Sequence, residues 1–374
     1  MYSARRFPRH LAIAYTALLL CACLFPMSGW REKGLPVFDY LFAPWPKYFD
    51  LGDFIVNIFG YVPLGLTVVP ALPRRWSRKK KVFVMVLSAT FLSFSIETVQ
   101  NFLPTRVASN VDLAANSLGA LLGAFIGARW GENFFAPGHG LARWRVRYIA
   151  DGLAGDAALV LVIIWVLVQL TPDQLLFAGG GLRRLLDIAP PVKFDPDRLI
   201  IFETAQTASM LLAIGLFARC VLRAQKGSAM VFALILLGIT ARFVASAYFL
   251  EPSSPLAWAS SPGTQYGLIA GGGLLLAALR LPRVAQHALA GACLLMASLL
   301  INMMPESPYF LPGVNGGSFI TRRANYQNFY GLCRLLAALW PFAALAYLSA
   351  LGLWRGEHLQ EGYTSVVETA DETL

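Results

Sequence analysis

Residues 95–123 read SIETVQNFLPTRVASNVDLAANSLGALLG (Ser95 to Gly123). On either side of Pro104 the run is apolar enough to cross a bilayer. It nevertheless carries Glu97, Gln100, Arg106, Asp112 and Asn116. On insertion scales an Asp or Arg at the centre of a membrane helix costs roughly 2.5–3.5 kcal/mol. Such groups are either neutralised by neighbouring helices or retained for a task, so the fold turns on which helices surround them.

The rest of the chain sets that context. Of its 374 residues, 57% are hydrophobic and 14% charged, against roughly 25% charged in soluble domains. Runs of about 20 apolar residues mark membrane spans. They fall near 11–27, 51–72, 82–103, 111–129, 150–171, 201–221, 229–250, 264–281, 286–304 and 331–354. The expected fold is all-α, a polytopic integral membrane helical bundle of about ten transmembrane helices. Segment 172–200 contains GGGLRRLLDIAPPVKFDPDR, with too many charges and prolines to span. It reads as a short interfacial helix presenting Leu182, Leu185, Leu186 and Ile188 to the membrane. Two membrane domains are expected, 1–130 and 131–355. The acidic, polar residues 356–374 read as a disordered cytoplasmic tail.

Basic residues orient the bundle, because short loops rich in Lys and Arg stay in the cytoplasm. One set of helix ends holds Arg5, Arg6 and Arg9, then RRWSRKKK (Arg74 to Lys81), RWRVR (Arg143 to Arg147), Arg219, Arg223, Lys226, Arg280, Arg283 and Arg355. The alternate ends are poorer, which places both termini in the cytoplasm. The formal net charge of +10 follows from this bias and from contact with anionic head groups of the lipid bilayer. No basic patch is interleaved with base-stacking aromatics, so no nucleic-acid partner is expected.

The N-terminal LAIAYTALLLCAC resembles a signal peptide, but Cys21 fits a lipoprotein box badly, and the segment reads as an uncleaved first helix. All five cysteines lie within or at the ends of apolar spans, without metal-ligand spacing, and read as packing residues. The four histidines are not paired at helical spacing. There is no nucleotide-phosphate loop and no G-x-S-x-G elbow. Neither metal nor cofactor is expected.

With this topology the second helix enters from outside near Leu51, the third leaves near Leu103 and the fourth re-enters near Val111. At 1.5 Å per residue, Asn57, Glu97 and Asn116 each fall roughly 8–9 Å below the outer surface. Asp53 and Asp112 sit one turn above their asparagines, and Gln100 one turn above Glu97. Arg106 lies in the loop above them. The ligand-binding candidates are therefore Asp53, Asn57, Glu97, Gln100, Arg106, Asp112 and Asn116, converging on an outward-facing pocket. Six of the seven also have a plainer explanation. Asp53 and Asp112 open helices, where a carboxylate meets the positive end of the dipole. The asparagines can tie helices together, and Glu97 can pair with Arg106.

DFIVNIFGYVPLG (Asp53 to Gly65) and DLAANSLGALLG (Asp112 to Gly123) share the pattern D-x-x-x-N-x-x-G. Gly60, Gly65, Gly119 and Gly123 would let these helices approach closely. With ETVQNFLPTR between them, these signatures make residues 10–130 resemble the VanZ-like family, named for a protein linked to teicoplanin resistance. The arginine a few residues ahead of the aspartate, here Arg106 before Asp112, fits that pattern. The resemblance implies a bacterial cell-envelope protein of the inner membrane, and it leaves some six further spans uncovered.

In the second half, Arg242 and Glu203 are expected to neutralise each other across adjacent helices. The outer loop NGGSFITRRANYQNFY adds Arg322 and Arg323 as secondary candidates for phosphate or sugar. Three functions compete. The first is binding of a polar or anionic envelope component, such as a lipid-linked precursor or glycan head group. The second is a membrane enzyme using Glu97 or Asp112 as general base. The third is transport, against which the lack of matching charges at the inner ends of the second to fourth helices counts. A structural or assembly role in an envelope complex stands beside these.

Overall fold

The computed structural model describes residues 6–25, 27, 29–32, 34, 36–45, 51–104, 106–135, 140–149, 152–171, 174–186, 188–222, 227–249, 256–306 and 332–352. Among these, every regular element is a helix. In chain order they are α1 Arg6–Leu24, α2 Asp39–Phe42, α3 Leu51–Ala71, α4 Arg78–Gln100, α5 Asn110–Ile126 and α6 Glu132–Phe135, with a π-helical turn Gly127–Gly131 between the last two. There follow α7 Gly140–Tyr148, α8 Gly152–Val168, α9 Leu182–Leu185, α10 Pro196–Val221 and α11 Gly227–Phe249. After a 3₁₀ turn at Ala257–Ala259 come α12 Pro262–Ala278, α13 Arg283–Met303 and α14 Leu332–Gly352. Eight of these helices are long and apolar enough to cross a membrane. The two remaining expected spans are α8 and α12, at 17 residues each, which lies at the short limit for a span. The molecule is a multi-pass helical membrane protein.

The chain divides into two compact units near residue 152. In the first, α3 and α5 make the closest contact, and glycine is the reason. A Cβ on Gly119 would strike the Ile58 carbonyl, and one on Gly123 the Val62 carbonyl. From the other side, a Cβ on Gly65 would meet the backbone of Ala120, Gly123 and Ala124. Gly60 differs, with open space where its side chain would be. Lipid tails give no hydrophobic drive between helices, so this backbone approach supplies the packing. Tyr15 on α1 donates to Gly60 O at 2.7 Å. Thr90 on α4 donates to Ser117 Oγ on α5 at 2.9 Å. Leu19, Tyr61, Leu64, Met85, Ala89 and Ala120 fill the centre. Phe83, Leu87 and Phe91, four residues apart along α4, are exposed and form the stripe that meets lipid.

In the second unit α10 is buried almost all round from Gln206 to Ala218, as a central helix must be. Gly263, Gly267 and Gly271 on α12 lie against Glu203, Thr207 and Ala208 of α10. Arg242, fully buried on α11, does not form the expected pair with Glu203. It donates to the carbonyls of Thr171, Gln174 and Leu175 and to Gln169 Oε1, closing the end of α8 and the turn beyond it. Glu203 instead accepts from Ser261 Oγ. The interfacial helix shrinks to the four residues of α9, followed by exposed Leu186 and Ile188. Just before it, Leu176 and Phe177 are fully buried, with Phe177 stacked on Trp165 at 5.5 Å. This non-helical backbone is tolerated because protein groups satisfy it: Asn302 Nδ2 donates to Gly180 O, and Gly180 N to Ala337 O.

Candidate functional site

The turn between α4 and α5 gathers the polar groups of the first unit. Ser109 caps α5, its Oγ accepting the N–H of Val111 at 3.1 Å and of Asp112 at 3.4 Å. The N–H of Ser109 itself donates to Glu97 Oε2 at 2.9 Å. Glu97 thereby reaches across from α4 and fixes the start of α5. On α3, Asn57 Nδ2 donates to Asp112 Oδ1 at 2.8 Å. Asp53, one turn earlier, lies within electrostatic reach of Asp112.

Two further candidates hold α1. Gln100 Nε2 donates to Cys23 O and Arg106 Nη2 to Ala22 O, each at 2.8 Å. Last-turn carbonyls have no partner within their own helix, and here side chains from another element supply it. Burial holds the Arg106 guanidinium below the usual arginine range, while Cys23, Glu97 and Asp112 oppose that shift.

Asn116 takes a different direction. Its Nδ2 donates to Ser93 Oγ on α4 at 2.9 Å, and its Oδ1 is buried without a hydrogen-bond partner. The Tyr61 hydroxyl, also buried, lies near Ser93 without reaching hydrogen-bond geometry. Counting residues from the helix ends put Asn57, Glu97 and Asn116 at one level. The bonds set another register, with Asn57 level with Asp112 and Asn116 level with Ser93. The cause is that α4 runs about a turn beyond the start of α5, since Ser109 meets Glu97 rather than Gln100.

Exposure divides the seven residues into two groups. Glu97, Gln100 and Asn116 are buried, whereas Asp53, Asn57, Arg106 and Asp112 are partly exposed. A ligand arriving from the helix ends would meet the second group first. Several contributors gave little sequence signal. Tyr40 OH lies 3.2 Å from Thr98 Oγ1, Asn101 Nδ2 donates to Val37 O at 3.3 Å, and Asn110 Nδ2 donates to Ala43 O at 2.7 Å. These bonds fold the segment 36–45 over the ends of α4 and α5. The aromatic FDYLF at 38–42 was its one mark in the sequence. Arg322 and Arg323 lie outside the described residues. Among the described residues, no three His, Cys, Asp or Glu side chains are grouped to hold a metal ion.

Residues 12–130 match the VanZ/LLP1 family model. The match runs from α1 to the π-helical turn, so the whole polar cluster lies inside the VanZ-like region. Within it, Asn57, Glu97, Gln100, Arg106, Asp112 and Asn116 each bond to another element. The second unit lies beyond the match. No curated protein and no solved structure matches the chain.

Proposed function

We propose that the VanZ-like region binds the polar head group of a bacterial cell-envelope component, of the lipid-linked glycan or precursor class, in an outward-facing pocket. The supporting observation is the partly exposed quartet Asp53, Asn57, Arg106 and Asp112, set on the rigid support of Glu97, Gln100 and Ser109. Carboxylates and the Asn amide suit the hydroxyls and amides of a sugar or peptide head group. The planar Arg106 fork suits phosphate or carboxylate. The reading places the chain in the bacterial plasma membrane, with both termini in the cytoplasm and the cluster at the opposite face.

A structural role is the second reading, favoured by the bonds from Gln100 and Arg106 to the end of α1. Arg106→Lys and Asp112→Asn separate the two. Binding by geometry predicts normal expression and melting temperature with loss of the envelope phenotype, read as sensitivity to a glycopeptide such as teicoplanin. Lysine keeps the charge but loses the fork. Full activity of both variants would return the cluster to helix support. Turnover of a lipid-linked precursor by the purified chain would instead favour an enzyme, with Asp112 as the accessible base.

A further inference from the structure

The second unit contains a polar cluster that the VanZ-like reading does not use. On α10, Glu203, Gln206 and Thr207 stand at i, i+3 and i+4, which puts them on one face. Glu203 and Thr207 meet the first turns of α12. A Cβ on Gly263 would strike Glu203, and one on Gly267 would come within 2.6 Å of Thr207 Cβ. Ser261 donates to Glu203, and Thr264 follows Gly263 in the same turn.

Gln206, Thr207 and Thr264 are fully buried, and Glu203 is 9% exposed. Both amide atoms of Gln206 and the hydroxyls of Thr207 and Thr264 have no hydrogen-bond partner. Among the described residues, no arginine or lysine forms a salt bridge with Glu203, whose bonded partner is Ser261. Glu203 alone could be explained as an anion at the start of α12. The orphaned neighbours could not. Leucine for glutamine and valine for threonine would fill similar space without leaving polar atoms unsatisfied.

We propose that this interface binds a monovalent cation, specifically sodium. The donors are a carboxylate, an amide oxygen and three hydroxyls, all hard oxygens that suit alkali or alkaline-earth ions and not soft metals. One carboxylate balances one positive charge, whereas a divalent ion would leave excess charge in a low-dielectric interior. The glycine-made closeness of α10 and α12 selects the smaller sodium over potassium.

The test is the melting temperature of the purified full chain in detergent, titrated with sodium chloride at constant ionic strength against choline chloride, with potassium chloride in parallel. Binding to the folded state predicts a saturable, sodium-specific rise. Glu203→Gln and Thr207→Val should abolish it, and Thr264→Val serves if either fails to fold. ²³Na line broadening that disappears in the same variants is the second expected result. Equal melting temperatures in all three salts would overturn the proposal, as would threonine variants that keep the full sodium response.

Discussion

Asn57 and Asp112 show what a single polar pair does in this bundle. Their bond joins α3 to α5 at the mouth of the cluster, where water competes with it only in part. Hydrogen bonds to a charged group exceed neutral ones, so a double-mutant cycle of Asn57→Ala and Asp112→Ala should show coupling on the order of 1 kcal/mol in detergent. Strict additivity would dismiss the bond as an energetic link. The residue types of the cluster were legible from the sequence, because charges inside apolar runs stand out. Their partners were not. Glu97 and Arg106 act on each other electrostatically, while their hydrogen bonds run from Ser109 N to Glu97 and from Arg106 to Ala22 O. Backbone groups accept and donate as readily as side chains, and a sequence pattern does not display them.

Glycine sets how closely the elements approach. Gly119 and Gly123 each place α5 against a carbonyl of α3, while Gly60 faces open space. Overpacking costs about 1–3 kcal/mol or more, so Gly119→Ala and Gly123→Ala should lower stability by at least about 2 kcal/mol each. Gly60→Ala should be neutral or stabilising, since alanine is favoured over glycine in a helix by about 1 kcal/mol. Equal effects at all three positions, measured by denaturant or thermal unfolding, would contradict the close approach. The repeated D-x-x-x-N-x-x-G pattern treats Gly60 and Gly119 as equivalents. The structure separates them, because a repeat in sequence fixes position along a helix but not which neighbour that face meets. Eight of the ten expected spans are long enough to cross a membrane, and the helical character of the spans was legible from apolar length. Register between helices was not, since it depends on where α4 ends relative to α5.

For the molecule as a whole, the testable quantity is its direction in the membrane. A cysteine replacing Ser109, in a background without native cysteines, should react with an impermeant maleimide in spheroplasts. One replacing Ser77 should react only after the membrane is opened. The reverse labelling pattern would turn the VanZ-like cluster toward the cytoplasm and overturn the proposed binding of an envelope component. The basic bias of the loops makes this prediction from sequence alone, because translocation is sensitive to charge near the spans. The inward-folded stretch at Leu176 and Phe177 could not be foreseen in that way. Its burial depends on Arg242, some 65 residues later in the chain, reaching back to Leu175 O.

The centrality of α10 also has a consequence for synthesis. Its Glu203, Gln206 and Thr207 leave the ribosome well before the glycines of α12 that cover them. From Val221 to Gly271 the ribosome needs about 3–10 seconds at typical rates of elongation. During that interval this polar face lacks α12, and lipid is a poor substitute. The nascent helix must therefore wait beside water or the insertion machinery, and a slow passage there would leave it open to premature degradation.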